Sequence, residues 1–215
     1  KILIISTSDV LGGAALAAYR LHRSLLDQGM TSIMIVQDKN TDDFTVLTKT
    51  SKLLNIFSRI RPILDTFYLR FYRKRSKTLF STSQLPSIDL IKKINQINPD
   101  IVHLHWVCGG MLKIESLAKI RPPIVWTFHD MWPLTGGCHY TEGCSNYKNS
   151  CGECRVLGSI KGNDLSRHTF KRKFKTYNLL KKFTIICSSR WMKKCSEESS
   201  LLKGREVNLL KNCID

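Results

Sequence analysis

The sequence predicts an α/β protein built on a doubly wound parallel sheet, with residues 1–215 forming a single domain. Three observations predict it. Short, continuous apolar runs recur along the chain, as in strands buried on both faces. Stretches with helical spacing separate them, and the strand-to-strand steps are long enough for parallel crossovers. A glycine turn joins the first apolar run to the first helix, as at the opening of such a sheet.

The elements follow in order. Ile2–Ser6 reads as the first strand, and Ser8-Asp9-Val10-Leu11-Gly12-Gly13 as the turn. Ala14–Gln28 shows helical spacing, with Leu16, Tyr19, Leu21 and Leu25 apolar and Arg20, His22, Arg23 and Asp27 polar; Gly29 stops it. Ser32–Val36 is the second strand, and 38–48 a loop with room for one short strand. Ser87–Asn95 reads as a helix capped by Ser87. Ile101–His105 is a strand, Leu112–Ile120 a helix, and Ile124–Phe128 a strand after the Pro122-Pro123 break. A loop rich in Gly and Cys spans Pro133–Gly158. Asp164–Leu180 is a basic helix, Phe183–Cys187 a strand, Arg190–Glu198 a helix and Val207–Leu210 the last strand.

Composition fits a globular chain: 42% hydrophobic and 24% charged residues rule out wholesale disorder. The net charge of +17 points to an anionic partner: nucleic acid, a membrane face or a phosphorylated substrate. The opening Lys1-Ile2-Leu3-Ile4-Ile5 is too short for a secretory h-region, and no apolar run approaches the ~18 residues a membrane span needs. Eight cysteines without an export signal suggest thiols or metal ligands before disulfides.

Four features carry chemistry. Gly12 and Gly13 let the backbone approach a ligand, and the helix behind them offers free N–H groups and a positive dipole end to a phosphate. Neither the dinucleotide fingerprint nor a P-loop is present, which weakens NAD, FAD and ordinary ATPase readings. His103 and His105 alternate on one strand and share a face, while His129-Asp130 follows the Ile124–Phe128 strand, where open sheets bind ligands. His129 is the acid, base or hydrogen-bond donor candidate, with Asp130 able to orient it or to bind hydroxyls. Cys138, Cys144, Cys151 and Cys154 follow the spacing C-x5-C-x6-C-x2-C. They read as a structural zinc shell, as free thiols or as disulfides, with His139 a substitute ligand and glycines 136, 137, 143 and 152 allowing tight wrapping. Cys108, Cys187, Cys195 and Cys213 read as small buried residues.

The fourth feature is residues 49–77, with nine Lys and Arg against one acid, Asp65, and twelve large apolar residues interleaved. A basic amphipathic stretch of this kind suits an anionic membrane surface; a core helix with a solvated face and nucleic-acid contact are the other readings. Pro62 is expected to divide it into two helices. A second basic run, Arg167, Lys171, Arg172, Lys173, Lys175, Lys181 and Lys182, adds to the positive field.

Several stretches together resemble the N-terminal half of glycosyltransferase family 4 enzymes of the bacterial polysaccharide type. They are Gly12-Gly13-Ala14, Asp100-Ile101-Val102-His103-Leu104-His105-Trp106, Val125–Pro133, Thr135-Gly136-Gly137-Cys138-His139-Tyr140, Ser188-Ser189-Arg190-Trp191 and Leu210–Asp215. The resemblance runs nearly end to end and is weakest at 38–86. It implies a Rossmann-like domain, one half of a GT-B architecture, in a retaining hexosyltransferase that uses a nucleotide-sugar and no catalytic metal. By motif match, Gly12 and Gly13 face the donor diphosphate, His129 sits near the transferred sugar with Asp130 beside it, and His103, His105 and Trp132 belong to the acceptor side. The acceptor is a saccharide or lipid-linked saccharide, which places the protein in the cytoplasm, peripheral at the inner face of the cytoplasmic membrane. The resemblance puts the nucleotide-sugar domain, with its Glu-x7-Glu pair, beyond Asp215, so residues 1–215 alone are expected not to turn over. Two other readings compete: a basic zinc-ribbon nucleic-acid binder, which leaves the buried strands and strand-end histidines unexplained, and a non-catalytic acceptor-binding module.

Overall fold

The computed structural model describes residues 1–48 and 60–212. Its centre is a seven-stranded, all-parallel sheet: β1 (Ile2–Ser8), β2 (Ser32–Asp38), β3 (Val46–Leu47), β4 (Ile101–Leu104), β5 (Ile124–Phe128), β6 (Phe183–Cys187) and β7 (Val207–Leu209). The spatial order is β3-β2-β1-β4-β5-β6-β7. The strand order runs one way from β1 to β2 and the other way from β4 to β7. Right-handed crossovers must then place their connections on opposite faces.

The core follows that division. Helix α1 (Gly13–Asp27) covers one face at β1 and β2, where Ile4, Ala18, Met34, Val36 and Val46 pack. On the other face α2 (Ile88–Ile97), α3 (Leu165–Asn178) and α4 (Arg190–Glu198) enclose the main core, including Leu3, Ile5, Val102, Leu104, Trp126, Phe128 and Ile185. Leu3, Ile4 and Ile5 are fully buried because β1 is covered on both sides. β6 instead alternates, with Phe183, Ile185 and Cys187 buried and Thr184 exposed. A smaller cluster of Leu69, Phe80, Cys138, Cys154, Val156 and Leu157 joins residues after the basic segment to the cysteine loop.

Two local expectations are corrected. Residues 114–119 form a 3-10 helix, not an α-helix. Ile114, Leu117 and Ile120 recur every third residue, which is the 3-10 period, and all three are buried. Ser87 stands at the start of α2 but does not cap it; its Oγ accepts from the Lys113 N–H at 3.3 Å. Residues 60–65, with Pro62 among them, are helical, and a 3-10 turn follows at Phe67–Phe71; the expected division at Pro62 concerns residues 49–59 too, which lie outside the described residues. Cys213–Asp215 also lie outside them. Cys108, Cys187 and Cys195 are buried as expected.

Candidate functional site

Parallel strands bring their carboxyl ends to one edge, and the candidate site lies there, across β1, β4 and β5. Gly12 precedes α1 with φ +93°, which only glycine adopts without strain, and no side chain caps the helix. A Cβ on Gly12 or Gly13 would meet nothing within 4 Å, and both residues are exposed at the start of the uncapped helix. β1 and β5 stand two strand spacings apart, about 10 Å.

Between them runs a row of imidazoles. β4 pairs with β5 with His103 opposite Val125, so His105 falls beside Thr127. His103 Nε2 bonds Thr127 Oγ1 at 2.8 Å, and His105 Nδ1 bonds His129 Nε2 at 2.9 Å. Ring centroids lie 4.6 Å apart for His103–His105 and 5.1 Å for His105–His129. Burial, with a smaller push from His129, lowers the His103 pKa to about 4. Burial also lowers those of His105 and His129, in His129 against the nearby Asp130 charge. The row is therefore neutral at pH 7.

Neutrality fixes the hydrogen-bond direction. His105 Nε2 is buried without a partner. A buried orphan N–H is rarer than an orphan acceptor, so His105 carries its proton on Nδ1 and donates to His129 Nε2. His129 then keeps its own proton on Nδ1 and offers a neutral N–H donor from a half-buried ring. Ser6 Oγ, on the strand position beside His105, is also buried without a partner.

The structure separates His129 from Asp130. The Asp130 carboxylate turns inward: Oδ2 accepts from Trp106 Nε1 at 2.9 Å and His139 Nδ1 at 2.7 Å, and Oδ1 from the Trp132 N–H at 2.8 Å. Burial raises its pKa, but these hydrogen bonds, led by His139, outweigh that and hold it below the usual carboxylate range. Asp130 thus fixes the chain leaving β5 and has no oxygen turned to a sugar. Trp132, expected on the acceptor side, is 2% exposed, and its indole donates to Ser81 O. His103 and His105 lie beneath His129 as its support. His139 is engaged at both nitrogens, by Asp130 and Ser81 Oγ, so it is no substitute metal ligand as placed.

Lys173 was hidden among the surface cations of the basic run, yet it is fully buried. Its ammonium donates to Trp132 O and Thr135 O and sits 3.6 Å from the Trp132 ring centroid. Burial lowers its pKa to about 7. Its position was readable, since Thr169, Phe170, Lys173, Thr176 and Tyr177 fall on one helical stripe, the buried one. Arg172 leaves the solvated run too, in a forked ion pair with Glu115.

Cys138, Cys144, Cys151 and Cys154 do line one small cavity, of about 20 Å³. Among the described residues, however, no three His, Cys, Asp or Glu side chains are grouped so as to hold a metal ion. The thiols as placed do not form a zinc shell. Burial pushes the Cys138 and Cys151 pKa values up to about 12. No helix among the described residues is long and apolar enough to cross a membrane.

The profile of Glycosyltransferase Family 4 matches residues 11–215. The chain is also 25% identical over 159 residues to a putative colanic acid biosynthesis glycosyl transferase, WcaC, of Escherichia coli strain K12. That match covers 69% of this chain and 38% of the relative, so it takes in well under half of that protein. The family match takes in the glycine turn, the histidine row and the cysteine loop alike, and the chain belongs to glycosyltransferase family 4.

Proposed function

We propose that the chain is the acceptor-side half of a retaining hexosyltransferase. It would move a sugar from a nucleotide-sugar to a saccharide or lipid-linked acceptor in cell-surface polysaccharide synthesis. The work would take place in the cytoplasm, against the inner face of the cytoplasmic membrane. One observation carries the reading: a neutral, oriented His129 donor stands on the same sheet edge as the open α1 N-terminus.

In the transfer, the bond from the sugar C1 to the diphosphate oxygen breaks and a bond from C1 to the acceptor oxygen forms. The acceptor proton passes to the departing phosphate. The first-turn N–H groups of α1 and its dipole would stabilise the charge that grows on that phosphate. His129 Nδ1–H would hold a sugar hydroxyl in register for attack. The nucleotide itself is assigned to a second domain, so residues 1–215 alone should show no multiple turnover.

The test is transfer by the natural full-length protein, supplied with a panel of nucleotide-sugars and extracted lipid acceptors, with the product anomer read by NMR. His129→Ala should lower kcat roughly 100-fold, the loss expected for one preorganised donor. Absence of transfer from every donor, or full activity in His129→Ala, would overturn the reading.

A further inference from the structure

The residues from 60 to 71 carry their apolar side chains outward. Ile60, Ile63, Leu64, Phe67 and Phe71 recur at intervals of three or four, and each is at least 41% exposed, Phe71 74%. A helical stripe of this spacing ordinarily faces a core. Here the buried apolar residue between them is Leu69, which anchors the segment to the smaller cluster and leaves the stripe uncovered among the described residues.

The cysteine loop brings up a second piece that sequence separation concealed. Leu157–Ile160 packs beside Tyr68–Lys74 around a groove of about 610 Å³. Three contacts fix the pairing. The Ser76 N–H donates to Val156 O at 2.9 Å, and the Leu165 N–H to Tyr72 Oη at 2.9 Å. Gly158, at φ +61°, lies so close that a Cβ there would come within 2.5 Å of Lys74 O. Ile160, 92% exposed, lines this groove together with Phe71. Arg73, Lys74 and Lys161 border the same groove, and all are exposed. The acid on its wall, Asp164, is buried and occupied in capping α3.

We infer that this face, Phe71 and Ile160 ringed by Arg73, Lys74 and Lys161, docks on an anionic lipid surface, with the cysteine loop as the scaffold that holds its two halves together. Protruding apolar side chains inside a cationic ring match a bilayer whose phosphates surround hydrocarbon. A nucleic acid would use the ring but leave Phe71 and Ile160 without apolar burial. The loop that builds the face also holds the site: the His139 N–H donates to Leu79 O and the same ring binds Asp130. The inference rests on the membrane-side reading above and says which residues make the contact.

The experiment is co-sedimentation of the natural full-length protein with vesicles of phosphatidylcholine containing or lacking phosphatidylglycerol. Binding is expected only with the anionic lipid. Phe71→Ser with Ile160→Ser should weaken it at least about tenfold through lost apolar burial. Arg73, Lys74 and Lys161 to Gln together should weaken it roughly 100-fold. Arg121, Lys181 and Lys182 to Gln remove equal charge at the opposite edge of the sheet and should change it little. If all three sets weaken binding alike, or the apolar pair has no effect, the proposed face is wrong while membrane attachment stands. If no vesicles bind, or single-stranded RNA competes equally with the wild type and the apolar double variant, both fail.

Discussion

Lys173→Met separates the two roles of the buried ammonium. In the folded chain burial holds the Lys173 pKa at about 7, against 10.5 when exposed. Between those values the unfolded chain binds more protons than the folded one, so stability rises with pH. The cost of burying the charge is fully present below pH 7 and is relieved as pH climbs towards 10.5. From pH 7 to pH 9 a single group with these values contributes about 2 kcal/mol. Above pH 9 the buried thiols act the other way, because Cys138 and Cys151 stay protonated when folded and ionise first when unfolded. The thiols are present in both proteins, so the difference between wild type and variant from pH 7 to pH 9 belongs to the lysine. Methionine fills a similar volume without the charge, and Thr135 O loses the ammonium as donor, a pH-independent loss of about 1–3 kcal/mol. Urea unfolding of both proteins at pH 7, 8 and 9 should show wild type gaining about 2 kcal/mol more than Lys173→Met. Parallel stability curves would show that the ammonium is not desolvated as its surroundings indicate.

Three further outcomes are expected. Asp130→Asn should cost about 1–3 kcal/mol, since the carboxylate takes three hydrogen bonds in a buried site. Because its folded pKa is lowered, that difference should be present at pH 7 and shrink as pH falls below 3.8; a variant as stable as wild type at pH 7 would refute the inward network. His105→Phe in the full-length enzyme should lower kcat about tenfold or more with little change in KM, since it frees the His129 ring without touching substrate; an unchanged kcat removes the positioning role. Among the described cysteines of the loop, Cys144 should react first with thiol reagents at pH 8, because Cys138, Cys151 and Cys154 are buried. A chelator should leave that order unchanged, and faster labelling after chelation would reveal a bound ion in place of packing.

The sheet was legible because its signal is additive: each strand is a short apolar run, and Ile4 or Val102 need only be buried somewhere. The His103–His105 face was legible from alternation alone. Which way Asp130 turns was not, because its partners Trp106 and His139 come from two other loops that only the fold assembles. The same limit applies to Trp132, whose aromatic character fits a sugar platform and a core equally well. Lys173 was legible in principle from its stripe but was masked by the cations around it. That Phe71 and Ile160 share one groove depends on contacts such as Tyr72 with Leu165, across some ninety residues, and no local pattern encodes that.

The central place of β1 has a consequence for how the chain is made. Ile5 pairs with Ile35 on one side and with Leu104 on the other. The first partner is synthesised about thirty residues later, the second about a hundred. At 5–20 residues per second, one edge of the most apolar strand waits roughly 5–20 s for β4 to emerge. During that interval β1, α1 and β2 can form a small βαβ unit with an open flank. Nascent chains stalled between β2 and β4 should therefore be the ones that recruit chaperones or self-associate, and release should coincide with the appearance of His103 and Leu104.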